Sequence, residues 1–196
     1  MVTCSKTDLN MDKFSIQNIE KINSLTSELE YEKASSLYLN LRVLVKEDFS
    51  YEPIRRHLRG LIKDYEQNNW ADEDKITDNQ IKESDLAEAI VQAENLFYQK
   101  RKELIKTKLK VAGLTQNDLA KILGHRKGYM SELINGLRPF SKEDLVIINR
   151  LFKIKFEDLI PTFIQQERVS HIKKTLESLS NNKIRLTRKD FGLQMA

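Results

Sequence analysis

Residues 113–139 read GLTQNDLAKILGHRKGYMSELINGLRP, and this stretch decides the fold of its part of the chain. Four of the six glycines of the protein fall within it. Glycine readily adopts the left-handed backbone conformation that ends helices, so this crowding predicts several sharp turns. Thr115 stands three residues before Asp118, which predicts a capping-box-like start to a helix that ends at Gly124.

A second short helix is expected to begin near Arg126 and to stop at Asn135-Gly136, a helix-ending pair. Each of the two helices has one apolar face, predicted to be core and formed by Leu119, Ala120, Leu123, Met130, Leu133 and Ile134. Helices this short are unstable alone, so they must pack against each other and against their neighbours. Joined by a turn of about three or four residues, they match a helix-turn-helix, whose second helix enters the major groove of DNA.

The motif resembles that of the lambda-repressor-like helix-turn-helix regulators. The resemblance is carried by Leu114-Thr115-Gln116, Leu119-Ala120, Leu123-Gly124, Ser131, Asn135-Gly136 and Arg138-Pro139. It covers about 60 residues, from near 102 to 161, and includes a Ser141–Asp144 helix cap. It implies an all-α chain in which a helical N-terminal domain precedes a five-helix DNA-binding domain.

A closer resemblance is to the HigA-type antitoxins. Residues 131–141, SELINGLRPFS, match their pattern, and residues 58–66 and 30–34 look like their helical lead-in. The chain departs from them in three ways: six residues separate Gly124 from Ser131 where many have five, the lead-in is longer, and the short members have no counterpart to the tail after Pro161.

The HigA resemblance implies an antitoxin that represses its own toxin-antitoxin operon and neutralises a small basic, HigB-like ribonuclease toxin by direct binding. The alternative is a stand-alone repressor whose N-terminal helices dimerise or sense a signal. A neighbouring gene for a basic protein of about 100 residues would favour the antitoxin, because an acidic N-terminal half complements such a protein electrostatically.

The expected DNA-binding residues are Thr115, Gln116, Arg126, Lys127, Gly128, Tyr129, Ser131, Glu132, Asn135 and Arg138. If the family docking holds, the start of the second helix points into the groove. Lys127 could then reach guanine, and Tyr129 could reach a base edge or a thymine methyl group. Gly128 either permits close approach of the backbone to DNA or is simply a weak helix start.

Other members of the set are expected nearer the phosphates. Gln116 is well placed for a phosphate at the start of the first helix, and Asn135 should also meet one. Arg138 either contacts a phosphate or forms a surface salt bridge. Glu132 either accepts a hydrogen bond from a cytosine amino group or pairs with a neighbouring Arg or Lys. We favour the second interpretation.

Outside the motif, the apolar spacing predicts helices and no strand. A helix with one solvent-exposed face is expected from Phe14 to Leu25. A second helix is expected over residues 34–45, and a third should begin at Pro53. The polar segment 67–80 is expected to be a loop with Trp70 as a possible anchor. A helix of nearly thirty residues should then run from Ser84 or Asp85 to near Gly113, either bent near Gln99 or continuous. One more amphipathic helix is expected to include Phe163, Ile164, Ile172, Leu176 and Leu179.

Charge is divided unevenly along the chain. Residues 1–95 hold 12 basic and 19 acidic residues, a net charge of −7, whereas residues 96–196 hold 21 and 10, a net charge of +11. The basic half suits a polyanion, and the acidic half either binds a basic protein or is a well-solvated helical surface. We therefore expect domains at 1–95, 96–161 and 162–196. The basic tail from residue 180 is either disordered or ordered against phosphates.

Several classes of protein are not expected. The one cysteine, Cys4, lies in a polar and flexible N-terminal segment and cannot form an internal disulfide, which fits a cytoplasmic protein. The three histidines are widely spaced and show no metal-binding motif, so we predict neither metal, cofactor nor enzymatic activity. No signal-peptide core or membrane-spanning run is evident. Because one such domain reads only a few base pairs, we expect a homodimer on a palindromic operator of double-stranded DNA.

Overall fold

The computed structural model describes residues 13–46, 48–162, 164 and 166–179, and this part of the chain contains helices and no strand. The prediction of an all-α fold is confirmed. The predictions for Cys4 and for the basic tail from residue 180 concern segments outside the described residues. None of the described helices combines the length and the apolar composition needed to cross a membrane.

Contacts divide the chain into two units, residues 1–91 and 92–196. The first unit contains α1 (Glu28–Leu44), α2 (Glu52–Asn69) and the first part of α3 (Asp78–Val111). The second contains the rest of α3, α4 (Gln116–Leu123), α5 (Lys127–Ile134), α6 (Lys142–Phe152), α7 (Phe156–Leu159) and α8 (Gln166–Ser178).

In the first unit, α1 and α2 pack against each other along their apolar faces. Ser27 begins α1 by accepting a hydrogen bond from the Glu30 N–H, and Pro53 occupies the first turn of α2, where its missing N–H costs nothing. The buried side chains of the two helices include Ala34, Leu37, Leu41, Leu58, Leu61 and Tyr65. The second and third helices of the sequence analysis are therefore present.

The prediction of a helix from Phe14 to Leu25 is wrong. Only the short 3-10 helix Ile19–Lys21 forms there, although Ile16 and Ile22 are buried as the apolar spacing indicates. A spacing of three residues also fits a 3-10 turn. Asn18 donates both its backbone N–H and its side-chain amide to Ser15, a local bonding pattern that competes with an α-helix.

The loop predicted for residues 67–80 is shorter than expected. Helix α2 continues to Asn69, and α3 already begins at Asp78. Two local bonds explain the difference: Asn69 donates to the Tyr65 carbonyl, and the side chain of Thr77 accepts from the Gln80 N–H at the start of α3. Helix α3 runs to Val111 as one element of 34 residues, with no interruption of the helix at Gln99.

The core of the second unit draws on every helix from α3 to α7. Its buried members are Ile105, Leu109, Leu119, Ala120, Met130, Leu133, Ile134, Phe140, Ile148, Phe152, Ile154 and Leu159. Leu123 was predicted as core but is only partly buried against this cluster, because it lies in the last turn of α4. The predicted C-terminal helix is present as α8 but is shorter than expected, because Ile164 precedes it and Leu179 follows it, while Phe163 lies outside the described residues. Val169 is its most buried described side chain.

Candidate DNA-binding surface

A reciprocal capping box begins α4. The Thr115 hydroxyl accepts from the Asp118 N–H at 3.2 Å, and the Asp118 carboxylate accepts from the Thr115 N–H at 3.0 Å. The same carboxylate accepts from the Thr115 hydroxyl at 2.6 Å, and these bonds hold the pKa of Asp118 below its usual value. The side chain of Thr115 is therefore engaged in starting the helix, and half-buried Gln116 is the first residue after it.

The two helices of the motif end in the same way. Gly124 has φ +73°, and the N–H of His125 donates to the Ala120 carbonyl at 2.8 Å. Gly136 has φ +75°, and the N–H of Leu137 donates to the Glu132 carbonyl at 2.9 Å. Both are Schellman ends, in which a left-handed glycine lets the chain turn back onto the helix. This geometry fixes where α5 begins and ends.

Helix α5 divides into a buried face and an exposed first turn. Met130, Leu133 and Ile134 are at most 1% exposed, whereas the four residues from Arg126 to Tyr129 are exposed. A Cβ atom placed on Gly128 would meet no atom within 4 Å, so packing within the unit does not require glycine at this position. The start of α5 thus exposes the cationic side chains of Arg126 and Lys127, the backbone of Gly128 and the aromatic ring of Tyr129.

Tyr129 contacts two polar or charged side chains, His125 and Arg138. Its ring centroid is 5.0 Å from that of His125, with the ring planes at 61°, and 5.3 Å from the Arg138 guanidinium carbon. His125 Nε2 lies 3.0 Å from Asp144 Oδ1, and Arg138 Nε donates to Glu132. We call these five residues the Tyr129 cluster. The ion pair agrees with the favoured reading of Glu132 and with the salt-bridge alternative for Arg138.

Asn135 is engaged inside the unit through both ends of its amide. Its oxygen accepts from Lys102 Nζ at 2.6 Å, and its nitrogen donates to the Ser131 carbonyl at 2.8 Å and to the Ser131 hydroxyl at 3.3 Å. These bonds connect the end of α5 with α3. A phosphate contact by the Asn135 amide would have to replace them.

Arg101 is a structural residue that sequence analysis did not single out. It is 3% exposed, and its guanidinium donates to the carbonyls of Leu133 and Leu159 at 3.4 Å each. Its Cζ atom lies 4.9 Å from the Tyr98 ring centroid and 5.0 Å from that of Phe140. Burial lowers its pKa to about 10.

A signal for the burial of Arg101 does exist in the sequence. Phe97, Arg101, Ile105 and Leu109 follow one another at intervals of four residues, which places the arginine within the apolar stripe of α3. Arg101 contacts the carbonyl ends of α5 and α7 from the inside of the unit and does not lie on its surface.

Residues 105–159 match the family model described as Helix-turn-helix, of the Cro/C1 type. The matched segment includes the end of α3 and all of α4 to α7. The predicted helix-turn-helix domain is therefore confirmed, and a domain of this class binds specific DNA sequences and regulates transcription. Neither the curated proteins nor the solved structures contain a match to the chain.

Proposed function

We propose that the protein is a transcriptional repressor that binds a palindromic operator as a homodimer, with the first turn of α5 in the major groove. The observation that carries this proposal is the exposure of residues 126–129 at the start of α5, a helix whose side chains Met130, Leu133 and Ile134 are buried in the core. A short helix fixed on one side by a core presents its other side in a constant position, which base recognition requires.

Individual roles follow from this placement. Lys127 donates to guanine O6 and N7, and Tyr129 contacts a base edge or a thymine methyl group. Gly128 lets the helix backbone approach the DNA closely. Gln116 meets a phosphate at the start of α4, where the free N–H groups of the helix favour an anion.

Two copies are needed because one domain contacts only a few base pairs, and a twofold dimer then reads two symmetric half-sites. We place dimerisation in the N-terminal helices or in α3, within the proposed division at 1–95, 96–161 and 162–196. Residues 96–196 carry a net charge of +11, so phosphate contacts supply much of the affinity.

The test is quantitative footprinting on the DNA upstream of the gene, followed by titration of the protected fragment and of a shuffled fragment at several salt concentrations. Lys127→Ala should weaken operator binding by about five- to 150-fold, since one good base contact is worth about 1–3 kcal/mol. Lys155→Ala removes the same charge from another exposed position of the unit and serves as the matched control. Equal affinity for the two fragments, or equal losses from the two variants, would contradict the proposal.

A second candidate function is neutralisation of a small basic toxin by the acidic N-terminal unit. It is favoured by the net charge of −7 over residues 1–95 and by carboxylates that crowd one another in this unit. Burial, and then repulsion from Glu88 and Glu28, raises the pKa of Glu32. A cationic partner would relieve this repulsion, which is a reason for it to bind here.

The antitoxin proposal is tested by co-expressing the chain with the product of an adjacent small gene. Recovery of growth and a co-purifying complex that dissociates at high salt would support it. A paired substitution, Glu32→Gln with Glu88→Gln, should weaken the complex. The control pair, Asp72→Asn with Asp74→Asn, removes the same charge in the segment before α3 and should weaken the complex less. Operator binding without any complex would leave the repressor proposal standing and remove this one.

A further inference from the structure

The Tyr129 cluster holds an exposed aromatic side chain in one place before any DNA is bound. Tyr129 is 40% exposed, yet its ring has His125 on one side at 5.0 Å and the Arg138 guanidinium at 5.3 Å. An exposed tyrosine on the first turn of a helix ordinarily samples several side-chain rotamers. Contacts with two neighbours restrict that freedom.

Each neighbour is itself held by a carboxylate that the unit fixes. Asp144 Oδ1 lies 3.0 Å from His125 Nε2, while its other oxygen accepts from the Ser141 N–H at 3.1 Å in the cap of α6. Glu132 pairs with Arg138, and the two side chains are only 14% and 21% exposed. The ion pair is therefore partly desolvated, which makes it stronger than an exposed one.

We propose that Tyr129 is the principal specificity-determining residue of α5, and that His125 and Arg138 are positioning residues that fix its ring for base contact. Arg138 then does not act as a phosphate ligand, because its charge stays paired with Glu132 in the complex. This inference rests on the proposed entry of α5 into the major groove. A ring ordered in advance loses little conformational entropy on binding, so the matching base is favoured more strongly.

The two roles of Arg138 predict different salt dependences. A phosphate ligand contributes about 0.9 to the slope of log affinity against log salt concentration, whereas a paired positioning residue contributes nothing. Affinities of the full chain are therefore measured at several salt concentrations, for its selected operator and for operators with single base-pair changes. Arg138→Met should leave the salt slope unchanged and reduce discrimination at one base pair of each half-site by about three- to tenfold.

Tyr129→Ala should abolish discrimination at that same base pair, a loss of about tenfold or more. In the Tyr129→Ala background, Arg138→Met should have no further effect on discrimination, because a positioning residue acts only through the residue that it positions. Arg138→Lys keeps the charge and the contact with the ring and should recover part of the loss. A slope lower by about one unit, or losses that multiply in the double variant, would overturn the assignment.

A measurement on the free protein keeps the inference testable if Arg138→Met fails to fold. Side-chain couplings and relaxation of Tyr129 in the nuclear magnetic resonance spectrum should report one rotamer in the wild type and averaging in His125→Ala, which removes one of the two contacts of the ring. Rotamer averaging in the free wild type would refute the inference. Failure of the wild type to prefer any operator would instead refute the proposed function, so the two failures are distinguishable.

Discussion

The two helix-ending glycines of the motif provide a matched pair of substitutions. Gly124 and Gly136 have nearly the same left-handed φ, +73° and +75°, and each follows a helix of eight residues. Their surroundings differ. A Cβ atom on Gly124 would meet nothing within 4 Å, whereas one on Gly136 would lie 3.0 Å from Tyr98 Cγ and 3.3 Å from Tyr98 Cβ and Cδ1.

The expected losses of stability follow from these distances. Alanine in the left-handed region costs about 1–2 kcal/mol of backbone strain, and this is the whole effect at Gly124. At Gly136 the methyl group also overlaps the Tyr98 ring, and forcing extra volume into a packed site costs a further 1–3 kcal/mol, roughly. The ring is half-buried and also lies 4.9 Å from the buried Arg101 guanidinium, a contact that a shift of the ring would disturb. Gly136→Ala should therefore be the more destabilising change by at least about 1 kcal/mol.

Hydrogen exchange measured by mass spectrometry on peptides from α4 and α5 gives the free energy of opening of the two helices. Trp70 lies outside the second unit, so its fluorescence does not report on this substitution directly. Replacing Tyr98 by alanine as well should remove the excess cost of Gly136→Ala and leave Gly124→Ala unaffected. Equal losses from the two glycine substitutions, or no rescue by the second change, would refute the reasoning.

Three further predictions concern caps and buried carboxylates. Tyr65→Phe removes the 2.9 Å bond to Glu28, whose second oxygen is buried and has no hydrogen-bond partner among the described residues. The loss should be about 1–3 kcal/mol in urea unfolding of the first unit, and no loss would contradict the role of this bond. Glu32→Gln should raise the melting temperature at pH 7. The gain should shrink as the pH falls through the raised pKa of Glu32, because the wild-type carboxyl is then protonated, and a gain that persists at pH 3 would count against this explanation. Thr115→Ala should cost about 1 kcal/mol in hydrogen exchange of α4, while Thr115→Ser, which keeps the cap to Asp118, should cost much less.

The sequence was most informative where one local interaction determines the backbone. The Thr115–Asp118 cap and the two left-handed glycines, Gly124 and Gly136, each depend on residues within a few positions, and all were predictable. The failures had a different origin. Ser15 and Asn18 bond locally within an apolar pattern that otherwise indicates a helix, and a spacing of three does not distinguish a 3-10 turn from an α-helix.

The arrangement of the surface was less predictable, because it depends on pairs that are distant in the sequence. The sequence shows which residues stand at positions 102, 125, 135 and 144. Its periodicity does not show that Asp144 faces His125 or that Lys102 bonds to Asn135. An ion pair was among the alternatives for Glu132 and for Arg138 separately, but the sequence did not show that these two residues pair with each other.

Residues outside the helix-turn-helix also contact α5 and the turn that precedes it. From α3, Arg101 donates to the carbonyl of Leu133 and Lys102 to the amide of Asn135, so both act on the C-terminal end of α5. From α6, Asp144 acts on the N-terminal end through His125 and its contact with Tyr129. Arg101 and Lys102 also precede the segment that matches the family model, which begins at residue 105. Helices α3 and α6, which flank the helix-turn-helix, thus supply polar contacts near both ends of α5.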